Sequence, residues 1–522
     1  MPEVSDASRK ERARETRSAA VVAFAILLSR LVGLVRQRVT AHYFGTGTVA
    51  DVLTAAFRIG NLAQNLLGEG TLSASFIPVY ARLRAEGRDA EAVEFARAAL
   101  GLLGAAVVVI SGLGVALAPL FSLLIAAGFD ADKLAMTTRL VRIVFPMTGI
   151  LVLCAWALGV LNAHRRFFLP YAAPVLWSAA QIAALLVGGS WLALSEEPLA
   201  RLLAAGALAG AVLELAVLLA SARPLLGKLA PSFDYKNPPL REAARRLPSV
   251  ILGRGVVQIS GVIDTLLVSF VGTGANAVFG YAQMLYLLPM SLLGTGEAAV
   301  SLPEMARDSA TTDTQARDAR IRSRLGSTLA RVSVLSVPAM VVLILFGVEL
   351  INLILRTGEF DATSTQRTAE VLRVYGFALL GNASGRLIAT AFFALGETRL
   401  PARFAIVRVV ASTILALALL RPLGVVGVVL GATVAGWIEA LLLGWQLRQR
   451  IGGLGFEEIP FVRIGLLAIA TTAPALAARM ALPAALTQRI AGSALLLGIV
   501  AVSFVIASPL LGLFDARTWL RR

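Results

Sequence analysis

The 522-residue chain is 57% hydrophobic and only 15% charged, and it carries a formal net charge of +16. A soluble globular chain carries about 25% charged residues, so this composition excludes an ordinary soluble domain. The basic residues are concentrated in alternate loops, as in membrane proteins that follow the positive-inside rule, and we therefore expect no nucleic-acid partner. One cysteine and two histidines exclude a disulfide framework and argue against a histidine-based catalytic or zinc site. We predict no enzymatic activity, no metal and no cofactor.

Fourteen apolar segments follow one another along the chain, each long enough to cross about 30 Å of hydrocarbon as a helix. Lipid-exposed backbone must satisfy its hydrogen bonds internally, and the sequence lacks the ten-residue alternation of barrel strands. The sequence therefore predicts an all-α polytopic membrane protein with about 14 transmembrane helices. The predicted segments are 18–43, 49–82, 93–127, 136–162, 167–194, 199–226, 241–271, 275–305, 325–356, 365–393, 401–421, 424–447, 460–482 and 487–514.

The loops between these segments predict the orientation and the domain organisation. Loops rich in arginine and lysine alternate with acidic loops, which places both termini on the cytoplasmic side of the membrane. The basic start of the chain has no signal-peptide cleavage site and is interpreted as a cytoplasmic tail. The predicted regions are the tail (1–17), an N-lobe of helices 1–6 (18–226), a cytoplasmic linker (227–240), a C-lobe of helices 7–12 (241–450), and helices 13 and 14 with the C-terminal tail (451–522).

The two predicted lobes are repeats of each other. The tripeptide Phe-Asp-Ala at 129–131 recurs at 360–362, displaced by 231 positions, and Gly-Thr-Gly at 45–47 recurs at 272–274, displaced by 227. Each lobe has six helices, an even number, so both lobes enter the membrane from the same side. This pattern predicts two pseudo-symmetric lobes related by a twofold axis along the membrane normal, an arrangement found in transporters.

The first predicted helix carries an arginine at mid-membrane depth. Arg30 lies twelve residues, about 18 Å, from the cytoplasmic start of this segment, where an arginine costs at least about 2.5–3.5 kcal/mol. Arg36 lies nearer to the far end. A guanidinium donates to phosphate oxygens in pairs and stays charged, so we predict that both residues bind an anionic substrate.

The second predicted helix carries a polar stripe. Its members are spaced 3, 4, 3 and 4 residues apart and therefore share one face: Asp51, Thr54, Arg58, Asn61 and Asn65. Such a stripe cannot face lipid and is expected to line a wet chamber. We predict that Arg58 and Asn61 bind substrate. Asp51 would repel a phosphate, so we predict that it supports the site by positioning an arginine.

Further polar residues lie at the end of the second helix and in the seventh. Glu69 lies between two glycines, Arg254 and Gln258 are one helical turn apart, and Asp264 follows them. We predict that Arg254 and Gln258 bind substrate and that Glu69 and Asp264 support or gate the site.

A purely structural role is the alternative for all of these buried charges. They would then be static ion pairs that hold the bundle together, such as Asp51 with Arg58 or with Arg36. Glu214 and Glu439 lie alone in apolar helices and are interpreted as packing or gating groups.

The segments SRLVGLVRQRVTAHYFGTGTVADVLTAAFRIGNL and GEGTLSASFIPVY resemble the MurJ/MviN family of lipid II flippases, as do residues 258–294 and 422–450. The resemblance covers about residues 17–450. It implies a V-shaped bundle of two lobes around a cationic cavity, in the bacterial inner membrane. The implied substrate is lipid II, an undecaprenyl-diphosphate-linked disaccharide-pentapeptide, flipped from the cytoplasmic to the periplasmic leaflet by alternating access for peptidoglycan synthesis. Membrane lipids and cell-wall synthesis proteins are the other partners considered.

The sequence also departs from the family pattern at some positions, and other functions were considered beside lipid II transport. Gln64, Met284 and Leu287 stand where the family commonly carries charged residues. Asp264 could supply one ligand of a sodium site known in some relatives, but residues 404–420 contain no Asp or Asn, so sodium coupling is not predicted. The alternatives are a flippase for another polyprenyl-linked glycan, a cation-coupled drug exporter, against which Arg30 and Arg58 argue, and a non-transporting scaffold of the same fold.

Overall fold

The structure is a computed structural model that describes residues 6–227, 230–483, 486 and 489–513. These residues form helices joined mostly by short turns, with no β-strand among them and one isolated bridge between Thr357 and Phe360. The predicted all-α class is confirmed. In chain order the helices are α1 (Asp6–Phe44), α2 (Thr48–Leu67), α3 (Glu69–Ala85), α4 (Asp89–Ala116), α5 (Ala118–Ala126), α6 (Ala131–Ala163), α7 (Phe168–Ala172), α8 (Pro174–Leu186), α9 (Glu196–Leu226), α10 (Pro238–Ser269), α11 (Ala275–Met290), α12 (Glu297–Ser309), α13 (Thr314–Leu345), α14 (Gly347–Ile354), α15 (Ala362–Ala394), α16 (Arg399–Ile451), α17 (Phe461–Ala481) and α18 (Ile490–Leu510).

Within the described residues, nine of the helical stretches are long and apolar enough to cross a membrane by length and composition. One of them, α16, has 53 residues and is broken at Gly424, whose φ of 55° and ψ of −132° are not helical. This break separates the predicted segments 401–421 and 424–447. Every other predicted segment overlaps at least one described helix. The chain is therefore a multi-pass membrane protein.

Several helix bounds differ from the prediction. Helix α1 begins at Asp6, so the described part of the predicted tail 1–17 is continuous with the first helix. Two short π-helices, Val187–Trp191 after α8 and Ser291–Gly296 after α11, interrupt segments that were predicted as continuous. π-Helical turns are rare and often lie at functional sites. The predicted tail after residue 513 lies outside the described residues.

The chain divides into two compact units, residues 1–262 (the N-unit) and 263–522 (the C-unit). The division falls inside α10, whereas the predicted linker at 227–240 ends near the start of that helix. In the N-unit, α6 is the most deeply buried candidate span, and in the C-unit the most buried is α15. A helix that is apolar on all sides is expected at the centre of a bundle, so these two helices form the centres of their units.

Close helix packing in each unit depends on glycine. A Cβ on Gly60 of α2 would lie 2.6 Å from Val144 Cγ1 on α6, and a Cβ on Gly381 of α15 would lie 2.8 Å from the Trp437 ring. Small residues at such crossings let helix backbones approach within the membrane. Trp156 of α6 is fully buried.

The displacement of 231 positions found in the sequence also appears in the bounds of two helices. Helices α6 and α15 both have 33 residues, and both ends of α15 are displaced by 231 positions from those of α6. Each begins with an aspartate cap: Asp130 accepts from the Lys133 N–H at 2.9 Å, and Asp361 accepts from the Ser364 N–H at 2.7 Å. A capping aspartate satisfies one of the unpaired N–H groups at a helix start, which explains why this residue recurs in both copies.

Candidate functional site

The polar face of α2 begins with a buried ion pair. Helix α2 starts after a turn in which Gly45 has a φ of 51°, a conformation that favours glycine. In its first turn Asp51 is fully buried, and Lys133 Nζ lies 2.8 Å from its Oδ2. The Lys133 side chain is only 6% exposed. A buried charge pair of this kind is stable only while both partners are present.

Lys133 is positioned by the start of α6. Its backbone N–H is held by the Asp130 cap, and its ammonium lies 4.3 Å from the centre of the Phe129 ring. The structure thus adds a lysine as an ion-pair partner of Asp51, and the predicted role of Asp51 in positioning an arginine stays a prediction. Lys133 is not among the predicted site residues, because it is 82 positions away from Asp51 and belongs to a loop that is mainly acidic.

Arg58 lies two turns further along the same face, and it contacts α10. Its Nε and Nη2 groups both donate to the backbone carbonyl of Gly261, at 3.2 and 3.0 Å. These two bonds fix one edge of the guanidinium plane. The contact requires a glycine, because a Cβ at position 261 would lie 2.6 Å from Arg58 Nη2. Arg58 is partly exposed, so its charge is held in place without being sealed in a dry core.

A second contact joins the same two helices two helical turns further along α2. Asn65 Nδ2 donates to Gln258 Oε1 at 3.3 Å. Because Asn65 follows Arg58 in α2 while Gln258 precedes Gly261 in α10, the two helices run antiparallel at this face. The predicted residues Arg58, Asn65 and Gln258 are therefore brought together.

The other members of the stripe differ in their surroundings. Asn61 is exposed. The Thr54 hydroxyl donates to the Ala50 carbonyl of its own helix at 2.8 Å, a common way for a membrane helix to satisfy a hydroxyl. Helix α2 ends at Leu67, and Gly68 is not helical (φ −85°, ψ −137°). The chain is therefore broken between α2 and α3 at the glycine that precedes Glu69.

The arginines of the first helix keep partial exposure. The Arg36 guanidinium lies 4.5 Å from the centre of the Trp177 ring on α8, a cation–π contact that stabilises the charge without neutralising it. Arg30 is partly exposed, as is Asp264 of α10. The side chains of Arg254 and Glu69 lie outside what the structure describes, so their predicted roles stay predictions.

A histidine network lies at the turn between α6 and α7. His164 Nε2 and the Tyr80 hydroxyl are 2.9 Å apart, and Arg84 Nη1 donates to the Ala163 carbonyl at 3.2 Å. Burial lowers the pKa of His164, and the neighbouring charges of Arg84 and Arg166 lower this pKa further. The imidazole is therefore neutral at pH 7, and this network closes a helix end without adding to the cationic face.

The C-unit holds a separate polar group that includes residues outside the predicted site. Glu439, which was interpreted as a lone packing or gating residue, forms an ion pair with Arg408 at 3.2 Å within α16. Near it, Asn382 of α15 donates to the Tyr286 hydroxyl of α11 at 2.9 Å. The arginine was passed over because it lies only nine positions after the basic start of α16.

The sequence is similar to those of known proteins. A family profile described as "Lipid II flippase MurJ" matches residues 40–501. A protein of Rhizobium tropici named "Probable lipid II flippase MurJ" is 31% identical over 433 residues, which cover 82% of this chain and 79% of the relative. The "Lipid II flippase MurJ" of Burkholderia cenocepacia is 29% identical over 432 residues, covering 81% and 82%.

Solved structures show the same architecture. The structure titled "Lipid II flippase MurJ, inward closed conformation" superposes with a TM-score of 0.77 at 20% identity, covering 94% of this chain and 98% of that one. An inward-facing multidrug resistance transporter of the MATE family superposes with a TM-score of 0.66 at 18% identity, covering 84% and 98%. At these identities the likeness shows the fold alone.

Proposed function

Because the chain belongs to the MurJ family of lipid II flippases, we propose that it moves lipid II across the bacterial inner membrane for peptidoglycan synthesis. The proposed direction is from the cytoplasmic to the periplasmic leaflet, by alternating access. Both termini lie in the cytoplasm in this proposal, in line with the alternating charge of the loops.

One observation carries the proposal. Arg58 holds a fixed, partly exposed guanidinium on a helix inside a membrane protein, through two bonds to the Gly261 carbonyl. A cation on a helix within the membrane is costly, and in membrane proteins such a residue marks a substrate pathway. A diphosphate presents the oxygen acceptors that a guanidinium binds best.

The rest of the N-unit polar face supports this role. Asp51 is neutralised by Lys133, so the face as a whole keeps its positive charge from Arg58, Arg36 and Arg30. Asn61 is exposed on the same face of α2 and provides amide groups for a sugar or a peptide. We include Arg254 and Gln258 of α10 in the proposed site. No covalent step is needed, since the lipid changes leaflet without changing its bonds.

The test is replacement of an essential lipid II flippase in a bacterium by this chain, with detection of lipid II in each leaflet. We expect survival and normal translocation with the wild-type chain, and loss of both with Arg58→Ala at equal protein abundance. The matched control is Arg201→Ala on α9, which removes an exposed ion pair with Glu197 and should preserve growth. Failure of the well-expressed wild-type chain would contradict lipid II as the substrate and favour another polyprenyl-linked glycan. Full rescue by Arg58→Ala would contradict the site.

A further inference from the structure

The polar group of the C-unit joins three helices at one depth. Helix α15 ends at Ala394 and α16 begins at Arg399 after a short turn, and Arg450 at the other end of α16 lies 4.0 Å from Glu397 of that turn. These three helix ends therefore share one face of the unit. At 1.5 Å per residue, Arg386, Arg408 and Glu439 lie roughly 12, 14 and 18 Å inside it. All three residues therefore lie on interior turns of helices that are long and apolar enough to cross a membrane.

Arg386 is the unusual member of this group. Its side chain is exposed, although Gly385 and Leu387 beside it are buried. Among the described residues its guanidinium has no hydrogen-bond or ion-pair partner, while Tyr286, Arg408 and Glu439 lie within the range of electrostatic interaction. An unpaired guanidinium at this depth is costly unless water or an anion reaches it.

A donor from a third helix completes the group. The Tyr286 hydroxyl accepts the hydrogen bond from Asn382, at 2.9 Å, so its own hydrogen can still be donated. Its ring is stacked on Tyr375 with 4.8 Å between centres, which fixes the direction of the hydroxyl. Two arginines face one glutamate here, and the excess charge is positive.

The repeat shows that the helical framework does not require these charges. At the corresponding N-unit positions, displaced by 231, Arg386 is matched by Ala155 and Arg408 by Trp177. Tyr286 is matched by Ile59, displaced by 227. The N-unit forms the same helices with uncharged side chains. A structural role in the shared fold is therefore a poor explanation for the C-unit cations.

We propose that Arg386, Arg408 and Tyr286 form a phosphate-binding site within the C-unit, and that Glu439 is its internal competitor. A phosphate has several acceptor oxygens and can bind donors from three helices at once. A carboxylate has only two oxygens, which one arginine can satisfy, so the three donors match a phosphate better. In the structure Glu439 pairs with Arg408. An incoming phosphate takes over Arg408 and displaces that carboxylate. The phosphate is either free in water or carried by a lipid.

Binding is measured on the purified full-length chain in phospholipid-free detergent, by calorimetric titration. All variants carry Arg58→Gln, so that the proposed N-unit site does not contribute to the signal. Sodium diphosphate probes the free anion, and undecaprenyl phosphate probes the lipid-borne one. Binding of either probe supports the site and identifies its source, and binding of neither contradicts it. Equal affinity for acetate would contradict the assignment to phosphate.

The variants separate binding from stability. Loss of one charge-assisted bond predicts a decrease in affinity of about tenfold or more for Arg386→Gln. Arg403→Gln, an exposed arginine of the same α16, should leave the affinity unchanged. Glu439→Gln removes the competitor and should increase the affinity. A structural ion pair would give the opposite sign, so weaker binding in Glu439→Gln would overturn the proposal. If Arg386→Gln does not fold, the Glu439→Gln result still decides, and none of these readouts depends on transport.

Discussion

The N-unit and the C-unit share one helical repeat, but they carry their buried charges at different positions in it. The N-unit pair Asp51 and Lys133 corresponds to Val278 and Ser364 in the C-unit, displaced by 227 and 231 positions. Val278 is buried. The aspartate caps and the 33-residue length of α6 and α15 are common to both units. The framework therefore depends on caps and apolar packing, and each unit has added charges of its own.

The same contrast holds for the arginines. Arg58 of α2 corresponds to Leu285 of α11, which is buried, while Arg408 of α16 corresponds to Trp177 of α8. In the N-unit this tryptophan lies under the Arg36 guanidinium, and in the C-unit the same position supplies a guanidinium itself. Charges that only one copy carries are the best candidates for function, because the other copy shows that the fold forms without them.

The largest expected effect comes from breaking the pair that only the N-unit has. Removing one partner of a buried ion pair typically costs about 3–5 kcal/mol, so Asp51→Ala or Lys133→Ala should strongly lower the thermal unfolding temperature of the purified protein. The double variant Asp51→Leu/Lys133→Met should recover most of that loss, because it leaves no unpaired charge. Ser364→Ala, at the matching C-unit position, is the control and should cost about 1 kcal/mol at most, because it removes one hydroxyl and leaves no unpaired charge. Equal losses in single and double variants would show that the pair itself is not the cause.

A smaller effect is expected from a variant that changes the orientation of the Arg58 guanidinium but keeps its charge. Gly261→Ala places a Cβ 2.6 Å from Arg58 Nη2, and the long side chain can move away at little cost in stability. We expect roughly tenfold slower transport, equivalent to about 1.4 kcal/mol of barrier, with an unchanged unfolding temperature. Gly255→Ala, on the same helix with no atom within 4 Å of the added Cβ, controls for the higher helix propensity of alanine. Similar transport by both variants would refute the fixed-guanidinium account.

The smallest expected effect tests what the units have in common. Asp130→Ala and Asp361→Ala each remove an N-cap and should each cost about 1 kcal/mol. Hydrogen bonds from Ser364 lower the pKa of Asp361, so its stabilising effect is present above the usual aspartate pKa and is lost as the pH falls through the lower, folded-state value. Unfolding scans between pH 6 and pH 3 should show the penalty of Asp361→Ala shrinking towards acid. A penalty independent of pH would contradict the capping role of the carboxylate.

Much of the fold could be predicted from the sequence because its signals are local. Fourteen apolar segments, the displacement of 231 and the 3–4 spacing of the α2 stripe are all read along the chain. The break at Gly68 follows from a glycine pair around Glu69. The π-helices after α8 and α11 could not be predicted, since an extra residue in a helical turn leaves no composition signal.

The site was only partly predictable because its decisive contacts are distant in sequence. Arg58 was identified as a costly buried cation, but its acceptor is a backbone carbonyl of Gly261, 203 positions away, and a backbone acceptor has no side-chain signature. Lys133 was hidden by its acidic neighbours Asp130 and Asp132. Arg408 was hidden by its distance of nine residues from a basic loop, where such residues normally mark orientation.

The most direct test of the central claim is lipid II translocation in reconstituted vesicles, comparing the wild-type chain with Arg58→Gln and Arg58→Lys at equal protein content. We predict rapid translocation by the wild type, loss of translocation in Arg58→Gln, and partial activity in Arg58→Lys, because an ammonium keeps the charge but not the paired donors. Wild-type rates in Arg58→Gln would contradict the claim that this guanidinium carries the anionic head group.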